Sequence, residues 1–411
     1  MKRTTYLTFA LLGAAALLTC RCTGPEMAAD PTTAAQTAPD ASSTGEPQAS
    51  APEASAGNGS AATADPGYTS WWYYSYEALG TLSAADLGLA EGNFKPYTIA
   101  HRGDTLLIAN TGGATHAFLL YDLKSRRVLR TVDGWSFNGE THTFTSPVEA
   151  FALTDERLYV SERGARIHVY ELPDLNYVTC IGNGNWWGEV FQPQALAVRD
   201  GLLFARDKDS RISIYREADA TPANYEKVKR YKQSALHGTS NNGWAPLNMV
   251  TDPASGLLAV TDYDGQLIRT LDPALATDEM TSETLLDVEE LEIRTAFKPK
   301  TIALTEERLY ATADDNGLHV YDRASQQWIK KLSTVRGWSF RQPIRIHAQE
   351  AGRFWISDTG SNTVIELGAF RNEIREFTPL DGTRVQVTEV PTRGGAPRTL
   401  VVDLSTHEIV E

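Results

Sequence analysis

Phe191-Gln192-Pro193-Gln194-Ala195-Leu196-Ala197-Val198, then Leu202-Leu203-Phe204-Ala205-Arg206-Asp207, then Arg211-Ile212-Ser213-Ile214-Tyr215: this stretch decides the fold. Three short apolar runs, the first opened by a proline and each bounded by polar or turn residues, read as consecutive strands. Proline suits the start of a strand, where its missing N–H breaks no ladder bond. The same phrase recurs from Pro96, Pro147, Pro193, Pro246, Pro299 and Pro343, at spacings of 51, 46, 53, 53 and 44 residues. A period near 50 with about four strand-like runs per unit predicts an all-β propeller.

The third unit is preceded by the turn Ile181-Gly182-Asn183-Gly184. With it, the unit resembles the NHL repeat: a Gly-rich turn, Phe-x-Pro, a Gly-Ile-Ala-Val-like strand, a Leu-Tyr-Val-Ala-Asp-like strand, then Arg-Ile-x-Val-Tyr. Phe297-Lys298-Pro299 with Leu309-Tyr310-Ala311-Thr312-Ala313-Asp314, and Phe354-Trp355-Ile356-Ser357-Asp358, follow the pattern more loosely. The resemblance spans residues 94–377 and implies a six-bladed NHL-like β-propeller with additional terminal strands. Arg384 to Val390 and Arg398 to Val410 supply those strands, and the aromatic segment from Tyr68 to Leu82 precedes the first unit. The alternative is a partial seventh blade closed by N- and C-terminal strands; in both, the first strand needs the C-terminal region to cover its edge. NHL propellers include binding modules and enzymes alike, so the resemblance leaves activity open.

The remaining chain reads as an address and a stalk. Lys2-Arg3 and the apolar Tyr6–Leu18 form an export signal over residues 1–19. Leu17-Leu18-Thr19-Cys20 resembles the lipobox of bacterial lipoproteins, which implies acylation of Cys20. Residues 20–66 form the lipidated tether; from 23 onward it holds no Lys, Arg or aromatic side chain, and such a composition cannot offset the entropy of ordering. The propeller domain occupies 67–411. The expected place is the bacterial cell envelope, with the head in the periplasm or on the cell surface. Arg21 after the cysteine is not the aspartate linked with inner-membrane retention in enteric bacteria, which tilts the anchor toward the outer membrane. A formal charge of −14 excludes the basic footprint of a nucleic-acid binder. Cys180 stands alone in the head, so no disulfide framework is expected there.

Up-and-down strand order places the starts of the first strands, the ends of the second strands and the linkers between units on one face, here called the upper face. Second strands end in Asn110, Glu162, Asp207, Asp262, Asp314 and Asp358, whose recurrence makes them turn-capping parts of the repeat. A subset turned toward the axis would suit calcium. The linkers are more individual. Thr131–Phe137 and Thr334–Phe340 agree at six of seven positions and carry Trp135 and Trp338; the second linker carries Trp186 and Trp187, and the third His237. Indoles in Gly- and Asn-rich loops read either as wedges between blades or as a platform for sugar or peptide. Arg163 and Arg206 on neighbouring second-to-third-strand loops either attract an anionic ligand or form a salt-bridged, solvated surface.

Two functions follow. The first is a non-catalytic binding or interaction module for a glycan, peptide or envelope protein, using Trp135, Trp186, Trp187, Trp338, Arg163 and Arg206, with no catalytic residues and no cofactor. The second is a metal-dependent lyase or hydrolase at the central channel, lactonase-like or hydroxyglycine-lyase-like, with zinc or calcium. Zinc catalysis wants about three converging protein ligands with one open position. Only His142 and His237 fall in upper linkers as candidates, which favours the binding module. His168 and His319 occupy matching places in their strands, Ile-His-Val-Tyr and Leu-His-Val-Tyr, and read as structural.

Overall fold

The computed structural model describes residues 72–182, 192–207, 212–217, 224–231, 246–263, 265–272, 287–349, 352–374, 376–389 and 396–410. The expected signal peptide, the tether, Cys20, Trp186, Trp187 and His237 lie outside the described residues.

Five antiparallel four-stranded sheets follow one another along the chain. Blade one is Pro96–Arg102, Thr105–Asn110, Ala117–Asp122 and Arg127–Val132. Blade two is Val148–Leu153, Arg157–Glu162, Arg166–Glu171 and Asn176–Ile181. Blade three is Ala195–Arg199, Leu202–Arg206, Ile212–Glu217 and Tyr225–Tyr231. Blade four is Pro246–Thr251, Leu258–Asp262, Leu267–Leu271 and Asp287–Arg294. Blade five is Pro299–Leu304, Arg308–Ala313, Leu318–Asp322 and Trp328–Leu332. Strands in each are named A to D in that order. The expected prolines open strand A in blades one, four and five, and lie one and two residues ahead of it in blades two and three.

Six regular blades are not found. The strands after Pro343 belong to an eight-stranded sheet, so five blades stand alone. Its order is Pro343–Ala348, Arg353–Asp358, Thr363–Glu373, Trp72–Leu82, Glu408–Ile409, Arg398–Asp403, Arg384–Glu389 and Phe377–Pro379. The expected additional terminal strands are present, but they extend this sheet outward and do not close a separate seventh blade. The reason lies in Trp72–Leu82, which pairs antiparallel with Thr363–Glu373 on one side and meets Glu408 through Tyr74 in parallel on the other. It thus joins two sets of strands that would otherwise each expose an edge. The innermost strands of the five blades and of this sheet neighbour one another in a ring that returns to Pro96–Arg102.

The ring is bolted by hydroxyls. Thr261 donates to the Lys300 carbonyl at 3.1 Å, Thr312 to Ile344 at 3.0 Å, and Ser357 to Tyr97 at 2.6 Å. Each donor sits near the end of a second strand, and each acceptor is the residue after the next sheet's proline. The Ser357 bond joins residues 260 apart in sequence and closes the circle. Aromatics ahead of the prolines fill the seams. Phe94, 1% exposed, packs with Ile99 and Leu106 of blade one and with Trp355 and Val364 of the large sheet. Phe297 packs with Ala259 and Ile268 of blade four and Ile302 of blade five.

Candidate functional site

The acids ending the second strands are structural parts with a common task. Glu162 is fully buried; its Oε1 accepts the Thr145 and Ser146 N–H groups at 2.6 and 2.9 Å. Asp358, also fully buried, accepts the Gln342 and Arg341 N–H groups at 2.6 and 3.0 Å. Asn110 accepts the Lys95 N–H at 2.8 Å. These side chains fasten the linker just ahead of their own blade's proline, rather than only capping the next turn. Asp314, though exposed, likewise accepts the Lys298 N–H at 3.3 Å, and Asp262 accepts the Gly265 N–H at 2.8 Å.

Trp135 and Trp338 share a sequence but not a hairpin. Gly134–Phe137 pairs with the following Glu140–Thr143, placing Trp135 opposite His142. In the second copy Val335 pairs with Trp338 inside the segment itself. The residues after each copy explain this. Asn138 and Gly139, at φ 52° and 83°, form the Asn-Gly turn that favours a two-residue hairpin. Arg341-Gln342-Pro343 offers no such turn, and the chain turns earlier through Gly337, at φ 84°.

Trp135 is half-buried in an aromatic box. Its ring centroid lies 5.2 Å from His142, 4.3 Å from His168, 5.9 Å from Phe144 and 6.2 Å from Tyr177, and Arg166 sits 5.7 Å over it. His168 is fully buried and meets Glu162 through Nε2 at 3.0 Å. Hydrogen bonds from His168 and Thr145 overcome burial and hold the Glu162 carboxyl down at about 2, while burial holds the imidazole below its usual range. Trp135 therefore acts mainly as a wedge, and the exposed large apolar side chain of its hairpin is Phe137, 48% accessible. His142 is exposed, 3.8 Å from Glu140. Among the described residues no group of three or more His, Cys, Asp and Glu is placed to hold a metal ion. Cys180 is a thiol pushed up to about 11 by burial, a poor nucleophile at neutral pH.

Trp338 is placed differently. Its Nε1–H donates to Asp358 at 3.2 Å, and one side of the half-buried indole borders an open cleft of about 630 Å³. Val335, Gly337, Ser339, Arg341, Ser361 and Thr363 complete the lining, so three hydroxyls and one guanidinium lie beside an apolar ring.

Arg163 and Arg206 converge on the ring axis. Arg163, half in solvent, forms an ion pair with Glu149, which is 1% exposed. Arg206 is only 3% exposed. Beside it lie Asp207, Arg345, Tyr97 and Glu149, contributed by four different sheets. Arg345 crosses the axis: its guanidinium lies 5.3 Å over the Tyr97 ring and reaches the Gln194 carbonyl of blade three at 3.4 Å. Sequence reasoning missed Arg345, Tyr97, Glu149 and Gln194. A signal was present, since the second residue after the proline is polar in Thr98, Glu149, Asn248, Thr301 and Arg345.

The lower end of the axis is a cavity of about 530 Å³, lined mostly by apolar first-strand residues such as Phe151, Leu196, Met249 and Ile302. His101 and His347 also line it, and His347 Nε2 accepts the His101 backbone N–H at 3.2 Å. Burial lowers the His347 imidazole to about 4. Because the unfolded imidazole titrates near ~6.5, the folded protein resists that proton. Its contribution is complete above pH ~6.5 and is lost as pH falls toward 4, a change of about 3 kcal/mol. His168 adds to the same slope, and Glu162 extends it below pH ~4.5. His347→Gln is expected to flatten the limb between pH ~6.5 and 4 in urea titrations. An unchanged slope would place the titrating group elsewhere.

No family model matches the chain, and no curated protein matches its sequence. Solved structures do. A structural genomics protein of unknown function from Bacteroides thetaiotaomicron is similar at 14% identity and a TM-score of 0.50, with 73% of this chain and 76% of that one covered. The β-propeller domain of Cps50 (Swd1) from Myceliophteria thermophila is similar at 12% identity and a TM-score of 0.47, covering 71% and 99%. U3-55K is similar at 11% identity and 0.46, covering 81% and 84%. The chain has the β-propeller fold. At these identities the likeness extends to fold alone.

Proposed function

We propose that the protein is an exported binding module of the bacterial cell envelope, anchored through lipid on Cys20, whose upper face takes up a glycan, peptide or envelope protein without catalysis. On this reading the fold is a divergent NHL-type propeller held off the membrane by residues 20–66. The cleft beside Trp338 carries the proposal: an indole face next to Ser339, Arg341, Ser361 and Thr363 offers apolar stacking and adaptable hydrogen bonding side by side. Phe137, raised on the other linker hairpin, adds apolar surface on the same face.

Glycan- and peptide-array screening of the detergent-solubilised full chain tests this. Arg341→Ala and Trp338→Phe are each expected to weaken the selected ligand about 10-fold, as loss of one good contact does. Equal binding by wild type and both variants would remove the cleft from the recognition surface. Mass spectrometry of membrane-extracted protein should show a lipid that Cys20→Ala abolishes.

A further inference from the structure

Buried ionised groups are normally paired, because an unpaired one costs far more than a neutral polar atom. Arg206 departs from this rule. It is 3% exposed, yet its Nε and Nη1 are buried without a hydrogen-bond partner. Burial, and to a smaller degree the nearby Arg345, lower its pKa to about 10, although Asp207 and Glu149 pull the other way. A second guanidinium, that of Arg345, is held over Tyr97 next to it. Folding has thus drawn like charges from opposite sides of the ring to one point on the axis.

We propose that the axial cluster around Arg206 and Arg345 binds one carboxylate group, carried by a peptide or sugar lying across the upper face. Planar guanidinium forks match the two oxygens of a carboxylate. Among the described residues, Arg163, Arg206 and Arg345 stand against Glu149 and Asp207, a balance that suits a single negative charge. A phosphate dianion would over-neutralise the site and meet two resident carboxylates. Arg163, half in solvent and tied to Glu149, stands at the rim where an anion would enter. The inference rests on the upper-face binding reading and names a ligand chemistry for it, at a point separate from the Trp338 cleft.

Thermal unfolding of the full chain in detergent is followed with added N-acetylalanine, galacturonate, their uncharged methyl esters, and inorganic phosphate. A saturable rise of about 2–4 °C with one of the two carboxylates, and none with its ester, is expected. Which of the two acts tells a peptide terminus from an acidic sugar. Arg206→Gln should abolish the rise, and Arg206→Lys should weaken the apparent affinity about 10-fold by losing the fork. Arg206→Met should unfold at a higher temperature than wild type in ligand-free buffer, and this readout guards against variants that merely fail to fold. A response to phosphate alone, or a carboxylate response retained in Arg206→Gln, overturns the proposal. So does the absence of any response, which leaves water as the partner. If capture through the Trp338 cleft persists in that case, only the axial inference falls; loss of both removes the upper-face reading as well.

Discussion

Deletion of residues 72–82 is expected to abolish cooperative folding. This strand leaves Tyr73, Tyr74 and Tyr76 at 4, 8 and 9% exposure, each worth about 2–3 kcal/mol of apolar burial. It also pairs along its length with Thr363–Glu373 and touches Glu408, while the Tyr76 hydroxyl donates to Glu408 at 2.8 Å and Lys330 donates to the same carboxylate at 2.9 Å. Losing these together approaches the whole stability of a domain, about 5–15 kcal/mol. The long edge of Thr363–Glu373 would then be open to pairing between molecules. Size exclusion should show aggregates and circular dichroism a broad melt. A monomeric variant with a sharp transition would mean that the ring closes without this strand.

The second large effect is expected at Asp358. Asp358→Ala would strip the acceptor from the Gln342 and Arg341 N–H groups and from Trp338 Nε1–H, in a fully buried place. Each donor left dry costs about 1–3 kcal/mol, and water reaching the site recovers part, so a total loss of about 3–5 kcal/mol is expected. Asp358→Asn keeps an acceptor and should lose less. Urea midpoints followed through tryptophan emission provide the measure, because the Trp338 environment should change with the clamp. A loss below about 1 kcal/mol for Asp358→Ala would show that the linker is held by its flanking strands.

Function and stability are linked at these positions. The same carboxylate that fastens the strand after Pro343 also orients the indole of the candidate cleft, so binding variants there need a stability control. Trp338→Phe removes one donor and leaves the two backbone bonds in place, so its melting temperature is measured beside its binding. By contrast Arg341 donates to Asp358 through its backbone alone, which makes Arg341→Ala the cleaner probe of the side chain.

Much of this architecture was legible beforehand. Pro96, Pro246, Pro299 and Pro343 open strands, because a strand start tolerates a missing N–H. The site was less legible. Two nearly identical segments led to the same expectation for Trp135 and Trp338, yet the residues following each copy give them different hairpins and different neighbours.

By itself the sequence determined the repeat and its strands, since these follow from local pattern and short-range sterics. Only the tertiary structure decided that Trp72–Leu82 joins the last strands into one broad sheet, and that Arg345 reaches across the axis to meet Tyr97 and Arg206. Those contacts bring together residues roughly 150 to 300 positions apart, as the bonds Arg345–Gln194 and Asn372–Ser75 show. Their partners are chosen by ring closure, which no local pattern encodes.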